Sequence, residues 1–79
     1  MKVSAEFTDT YCGAANYSWV RRVTIEVPDT LSDRAIVRRV KAKLGLTGAR
    51  PEGRIDYGDR IDLWYLDGSS TVLFISFEH

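Results

Sequence analysis

SDRAIVRRVKAKLGL (residues 32–46) is the stretch of this 79-residue chain in which apolar side chains recur at helical spacing. Ile36, Val37, Val40 and Leu44 stand at i, i+1, i+4 and i+8, an apolar stripe along one side of a helix. The spacing predicts a helix over residues 33–44. Ser32 or Thr30 can cap its first turn, and Thr30 with Asp33 has the spacing of a capping box. Gly45 is placed to turn left-handed after the last turn, so that Leu46 folds back in a Schellman ending. Arg34, Arg38, Arg39, Lys41 and Lys43 occupy the other sides, and the later ones favour the negative end of the helix dipole.

On both sides of this segment the period changes to two. KVSAEFT (2–8) sets Val3, Ala5 and Phe7 against Lys2, Ser4, Glu6 and Thr8. VRRVTIEV (20–27) turns Val23, Ile25 and Val27 inward until Pro28, which cannot donate to a ladder, ends the strand. RIDYGDRIDLWYL (54–66) reads as a hairpin. A three-residue turn, Gly58-Asp59-Arg60, puts Tyr57 opposite Ile61 and Ile55 opposite Leu63, with Asp56 facing Asp62 on the outer side. A two-residue Gly-Asp turn would set Asp56 against Ile61 and mix carboxylate with core, so the longer turn is expected. Trp64 then falls on the outer face, opposite in sense to Leu63 and Tyr65. DGSS (67–70) makes the next turn, and TVLFISF (71–77), apolar on both faces, is the expected central strand. The order strand, strand, helix, strand, strand, strand implies one α+β domain over residues 1–79. It has two layers, a single helix packed on a mostly antiparallel sheet of four to five strands.

Eleven basic and eleven acidic residues cancel, but they are sorted along the chain. Residues 20–50 hold eight basic side chains against three acids, and residues 51–79 hold six acids against two arginines. A neutral total therefore conceals two opposed territories. The single cysteine, Cys12, excludes an internal disulfide and fits a reducing cytoplasm. The first residues alternate polar and apolar groups and lack the apolar block of a signal peptide.

Catalytic constellations are absent from the sequence. His79 is the only histidine and stands last, so neither a zinc spacing nor a Cys-His pair can be drawn. VPDTLSD, leading into the helix, has no glycine for a phosphate loop. Asp56 and Asp62 are the one possible acid/base pair, and strand alternation exposes them on a sheet face where a glycosidase needs a cleft. The expectation is a non-enzyme without metal or cofactor.

Binding chemistry is better represented. Glu52, Asp56, Asp59, Asp62 and Asp67 line one hairpin and its flanks. Singly they mark a wet strand face that resists edge pairing; collectively they could imitate phosphates for a basic groove on another protein. The basic helix side, Arg34, Arg38, Arg39, Lys41 and Lys43, either keeps the helix soluble or contacts nucleic-acid phosphates. TDTYCGAANYSWVRR (8–22) reads as a connection over residues 9–17. Its Tyr11, Tyr17 and Trp19 either fold down as a satellite core or stand as interface anchors, and Cys12 is a small packing residue. With Trp64 and the acids Glu52, Asp56, Asp59 and Asp62, these aromatics make the candidate partner-binding set.

TDTYCGAANYSWVRR, SDRAIVRRVKAKLGLTG and YGDRIDLW, taken together, resemble short proteins carried by phages and mobile elements of proteobacteria, above all type I-C anti-CRISPR proteins. The resemblance spans nearly the whole chain but carries no chemical signature, and no functional residue transfers position by position. It implies a non-enzymatic inhibitor in the host cytoplasm that binds the type I Cascade surveillance complex on its backbone subunits and prevents target DNA from engaging. Anti-CRISPR DNA mimics are often strongly acidic, whereas this chain is neutral, so any mimicry would be local or the block steric.

Overall fold

The computed structural model describes residues 1–65 and 70–78. Asp67, His79 and most of the expected turn at 67–70 lie outside them. Strands β1 (Lys2–Tyr11) and β2 (Ala14–Glu26) are followed by the helix α1 (Asp33–Lys43), and then by β3 (Gly53–Asp56), β4 (Arg60–Tyr65) and β5 (Thr71–Glu78). The expected α+β order is the observed one. All five strands form a single sheet in the order β2-β1-β5-β4-β3, with every neighbouring pair antiparallel. β5 is central, as its two apolar faces require, and Val72, Leu73 and Ile75 are fully buried.

α1 begins where Ser32 Oγ accepts from the Ala35 amide (3.3 Å), so Ser32 rather than Thr30 is the cap. It ends in the anticipated Schellman motif: Leu46 N–H donates to Lys41 O (2.8 Å), Gly45 N–H to Ala42 O (3.2 Å), and Gly45 has φ +73°. The helix joins β2 at one edge of the sheet to β3 at the other, crossing the face between them. Ile36, Val40 and Leu44 meet Val3, Ala5 and Phe7 of β1, Leu73, Ile75 and Phe77 of β5, and Ile61, Leu63 and Tyr65 of β4 in one core.

Two expectations are corrected. Residues 9–17 are not a free connection. β1 and β2 continue to a two-residue turn at Cys12-Gly13, where φ is +53° and +81°, the paired positive values of a type I′ hairpin. The irregularity lies further on. Thr8 pairs with Val20 but Thr10 pairs with Ala15, so residues 16–19 bulge opposite Asp9.

The second hairpin has the shorter turn. Tyr57 N–H donates to Arg60 O (2.8 Å) around Gly58-Asp59, with Gly58 at φ +91°. Arg54 therefore faces Leu63, Ile55 faces Asp62 and Asp56 faces Ile61. The objection to this register was a carboxylate in the core, and it does not apply. β3 is an edge strand and Asp56 is exposed there, its Oδ1 accepting from Gly58 N–H (2.8 Å) to form the turn.

The helix stripe is narrow, so each of its members matters. Ile→Ala in a core costs about 2–5 kcal/mol, comparable with the roughly 3–5 kcal/mol that a single core supplies at this size. Ile36→Ala is therefore expected to leave the chain largely unfolded at 25 °C, read as loss of the cooperative urea transition followed by circular dichroism.

Candidate docking surfaces

Eleven helical residues span only about 16 Å, whereas the ten residues of β1 reach about 33 Å. The β1–β2 hairpin thus runs past the helix, and the molecule is drawn out to 36 × 21 × 21 Å. Beyond the last β1–β5 pair, Asp9 with Thr71, the hairpin extends past the reach of the helix. Its aromatics remain in solvent: Tyr11 is 71% exposed, Tyr17 48% and Trp19 42%. Only Trp19 keeps a foothold, its ring 5.4 Å from that of Phe7, which in turn meets Tyr65 edge-on at 6.3 Å. The satellite-core alternative is not what forms.

Exposure here does not mean a loose backbone, because one carboxylate ties the bulge together. Asp9 Oδ1 accepts from the Ser18 amide (3.0 Å) and the Thr8 hydroxyl (3.2 Å). Its Oδ2 accepts from Asn16 Nδ2 (2.9 Å) and from the Ser18 hydroxyl. Thr8, fully buried, has one hydroxyl proton, which is shared between Asp9 Oδ1 and, at the shorter distance of 2.7 Å, Trp19 O. These bonds hold Tyr17 in the left-handed region, φ +56°, which a tyrosine rarely occupies. They favour the charged carboxylate, Asn16 first and Ser18 next, and hold Asp9 at a pKa of about 2 against its ordinary 3.8. Asp9 is a site residue outside the expected binding set; its signal in the sequence is its grouping with Asn16 and Ser18, both short hydrogen-bonding side chains.

The acidic set is not a continuous ribbon. Arg60, next to the Gly58-Asp59 turn, pairs with Ser76 near the end of β5, whereas the aromatic tip lies beyond the start of β5. Asp56 and Asp59 are therefore at the opposite end of the sheet from Tyr11, Tyr17 and Trp19. Both are exposed, Asp56 with a long contact to Arg54 (3.9 Å). Glu52 belongs to the other end of β3, its amide donating to Trp64 O (2.8 Å). Asp62, expected on an exposed face across from Asp56, is 2% exposed and held by Arg60 (Nε–Oδ1 2.9 Å, Nη2–Oδ2 3.2 Å). The reason is register: Asp62 lies between Ile55 and Phe74 on its neighbouring strands, and they shield it.

The open face of the sheet holds a cluster that strand alternation alone did not assemble. Trp64, half-buried, meets Phe74 edge-on at 6.3 Å. The Arg60 guanidinium lies 4.7 Å from the centre of the Tyr57 ring and 5.6 Å from that of Phe74, and the Asp62 charge raises the Arg60 pKa. Ile55 and Tyr57, assigned inward by the longer turn, stand exposed on this face. The two apolar sides of TVLFISF were the available signal for Phe74.

On the helix, Arg34, Arg38, Arg39 and Lys43 are exposed, and among the described residues none has an ion-pair partner. Lys41 differs: its Nζ donates to Ala49 O (2.7 Å), tying the helix to the segment that follows. Arg34, Arg38 and Lys41 border an open groove with Thr47 and Gly48. Among the described residues no three metal-ligating side chains cluster, and no helix is long and apolar enough to cross a membrane.

Fold and surfaces define a small α+β domain with Tyr11, Tyr17 and Trp19 exposed at one end of the sheet, Asp56 and Asp59 at the other, and exposed cations along its helix. No family model, curated protein or solved structure matches the chain.

Two stability tests arise from these geometries. A carboxyl whose folded pKa is depressed stabilises above its unfolded pKa, and that contribution disappears as pH falls through the folded value. Asp9→Asn is therefore expected to lower Tm by several degrees at pH 6, and the difference from wild type should shrink between pH 4 and pH 2 in thermal melts. Arg60→Ala leaves the enclosed Asp62 carboxylate without its guanidinium, so it should lower Tm clearly more than Arg54→Ala, whose contact is solvent-exposed. Equal Tm losses would show that the Arg60–Asp62 pair carries no special weight.

Proposed function

We propose that the protein is a non-catalytic binding inhibitor that docks on a larger protein assembly through the aromatic tip of the β1–β2 hairpin. Following the resemblance noted above, that assembly is the type I Cascade complex, with target-DNA engagement blocked. The supporting observation is the combination of exposed tyrosine and tryptophan with a backbone fixed by Asp9. Aromatic side chains carry much of the energy at protein interfaces, and a preordered display avoids the entropy of arranging them on contact. Because Asp62 is enclosed and the remaining acids lie at other places on the sheet, the reading favours a steric block over imitation of a phosphate row. The exposed carboxylates Asp56 and Asp59 then serve at most as a secondary contact.

Tyr11→Ala with Tyr17→Asn removes two rings and leaves at residue 17 a side chain that tolerates positive φ. This double variant is expected to keep its circular dichroism spectrum and to lose at least about tenfold in affinity for purified type I-C Cascade. Asp56→Lys with Asp59→Lys should change that affinity much less. No binding by the wild type removes the Cascade reading, and a larger loss from the lysine pair replaces the aromatic tip with the acidic turn.

A second reading, a small nucleic-acid-binding module, is favoured by the exposed Arg34, Arg38, Arg39 and Lys43 and by the groove that Arg34 and Arg38 share with Lys41. Its test is a mobility shift at low salt that weakens steeply as salt rises and is abolished by Arg34→Glu/Arg38→Glu.

A further inference from the structure

The sheet has two edges, and they differ in what they offer. β3 has four residues, whereas β2 keeps an unbroken register with β1 from Glu26 opposite Lys2 to Val20 opposite Thr8. The phase of that ladder is known. Val27 N–H donates to Met1 O (2.9 Å) and Val27 O accepts from Met1 N (2.8 Å), so this is a bonded pair. Bonded and non-bonded pairs alternate in an antiparallel ladder. Ile25, Val23 and Arg21 therefore direct their backbone groups at β1, and Glu26, Thr24, Arg22 and Val20 direct theirs outward. Such an edge is a template for another strand unless something blocks it. Among the described residues neither a proline nor a bulge interrupts residues 20–26.

The side chains select the strand that fits. Pairing β2 with a copy of itself about a two-fold axis at Thr24 sets each Arg22 opposite the other chain's Glu26, giving two ion pairs. In the same register Val23 faces Ile25 of the second copy, again twice, on the side where the helix lies. Val23 and Ile25 are only partly buried against the core, and Ile25 borders an open groove with Ala42 and the stems of Arg39 and Lys43. Nearby registers do worse: an axis at Arg22 puts like charges opposite, and axes at Val23 or Ile25 leave Arg22 and Glu26 without direct partners. Opposite charges across a strand pair stabilise and like charges oppose it.

We propose that two copies of this chain associate through β2, antiparallel about a two-fold axis at Thr24, joining their sheets into one. The Thr24 amides and carbonyls bond across the axis, flanked on each side by the Arg22 and Glu26 backbone groups. Arg22, already 2.7 Å from Glu6 of its own chain, also meets Glu26 of the second copy. The aromatic tips lie beyond the paired region, so the dimer presents two of them pointing apart.

Sedimentation equilibrium of the full chain from micromolar to millimolar concentration is expected to give a dimer mass. Thr24→Pro deletes both Thr24 donors at the axis while sparing the β1 ladder, and should weaken association at least about tenfold, the loss of two net hydrogen bonds. Arg22→Glu and Glu26→Arg should each weaken it as homodimers, by setting like charges opposite, and an equimolar mixture of the two should recover the dimer. Circular dichroism checks each fold, and if the proline variant does not fold, the charge pair still decides. A wild-type monomer throughout the range overturns the proposal. So does a dimer indifferent to both charge variants, since it must use another surface.

Discussion

One apolar stripe on one short helix holds the domain together. Ile36, Val40 and Leu44 form the buried part of the layer that covers one face of the sheet, and Leu31, Val37, Leu46 and Ala49 pack beside them. Everything the helix does not reach has to find another arrangement. On the open face, side chains of neighbouring strands cover each other, which is how Asp62 comes to be enclosed beneath ordinary strand residues. The far end of β1 and β2 lies past the reach of the helix, and Tyr11, Tyr17 and Trp19 stay exposed.

That limit explains why polar bonding does different work at the two ends. The Asp9 network orders a hairpin tip that burial cannot order, since a few exposed rings gain little from the hydrophobic effect where they stand. Order achieved by hydrogen bonds leaves the rings available, whereas order achieved by packing would have consumed them. At the opposite end, Asp56 spends its charge on a tight turn and Arg60 spends its own on Asp62 and two rings. Several charges that look free in the sequence are thus engaged locally, while Arg34, Arg38, Arg39 and Lys43 have no ion-pair partner among the described residues.

The corrections share a physical origin. Strand alternation argues against a two-residue turn at Gly58-Asp59 only if β3 has a buried and an exposed side. An edge strand outside the helix footprint has no buried side, so its register is chosen by the turn and by what β4 needs. Ile55 and Tyr57 therefore surface on the open face. The bulge at residues 16–19 has a similar origin: Asp9, Gly13 and Asn16 offer turn chemistry at separate points of residues 9–17, and the bonds that Asp9 makes to Asn16 and Ser18 form only when the two strands pair.

Local chemistry in the chain was enough to determine the helix, its Gly45 ending, the order of the elements and the central place of TVLFISF. Each depends on spacing or backbone preference within about fifteen residues. The choice of Ser32 over Thr30 as cap needed the folded chain. Tertiary structure alone decided the strand order, the enclosure of Asp62, the separation of Asp56 and Asp59 from the aromatic tip and the open edge along β2. Those outcomes depend on which surfaces a single short helix can cover, and no local pattern encodes a length mismatch between elements that meet only when the chain is folded.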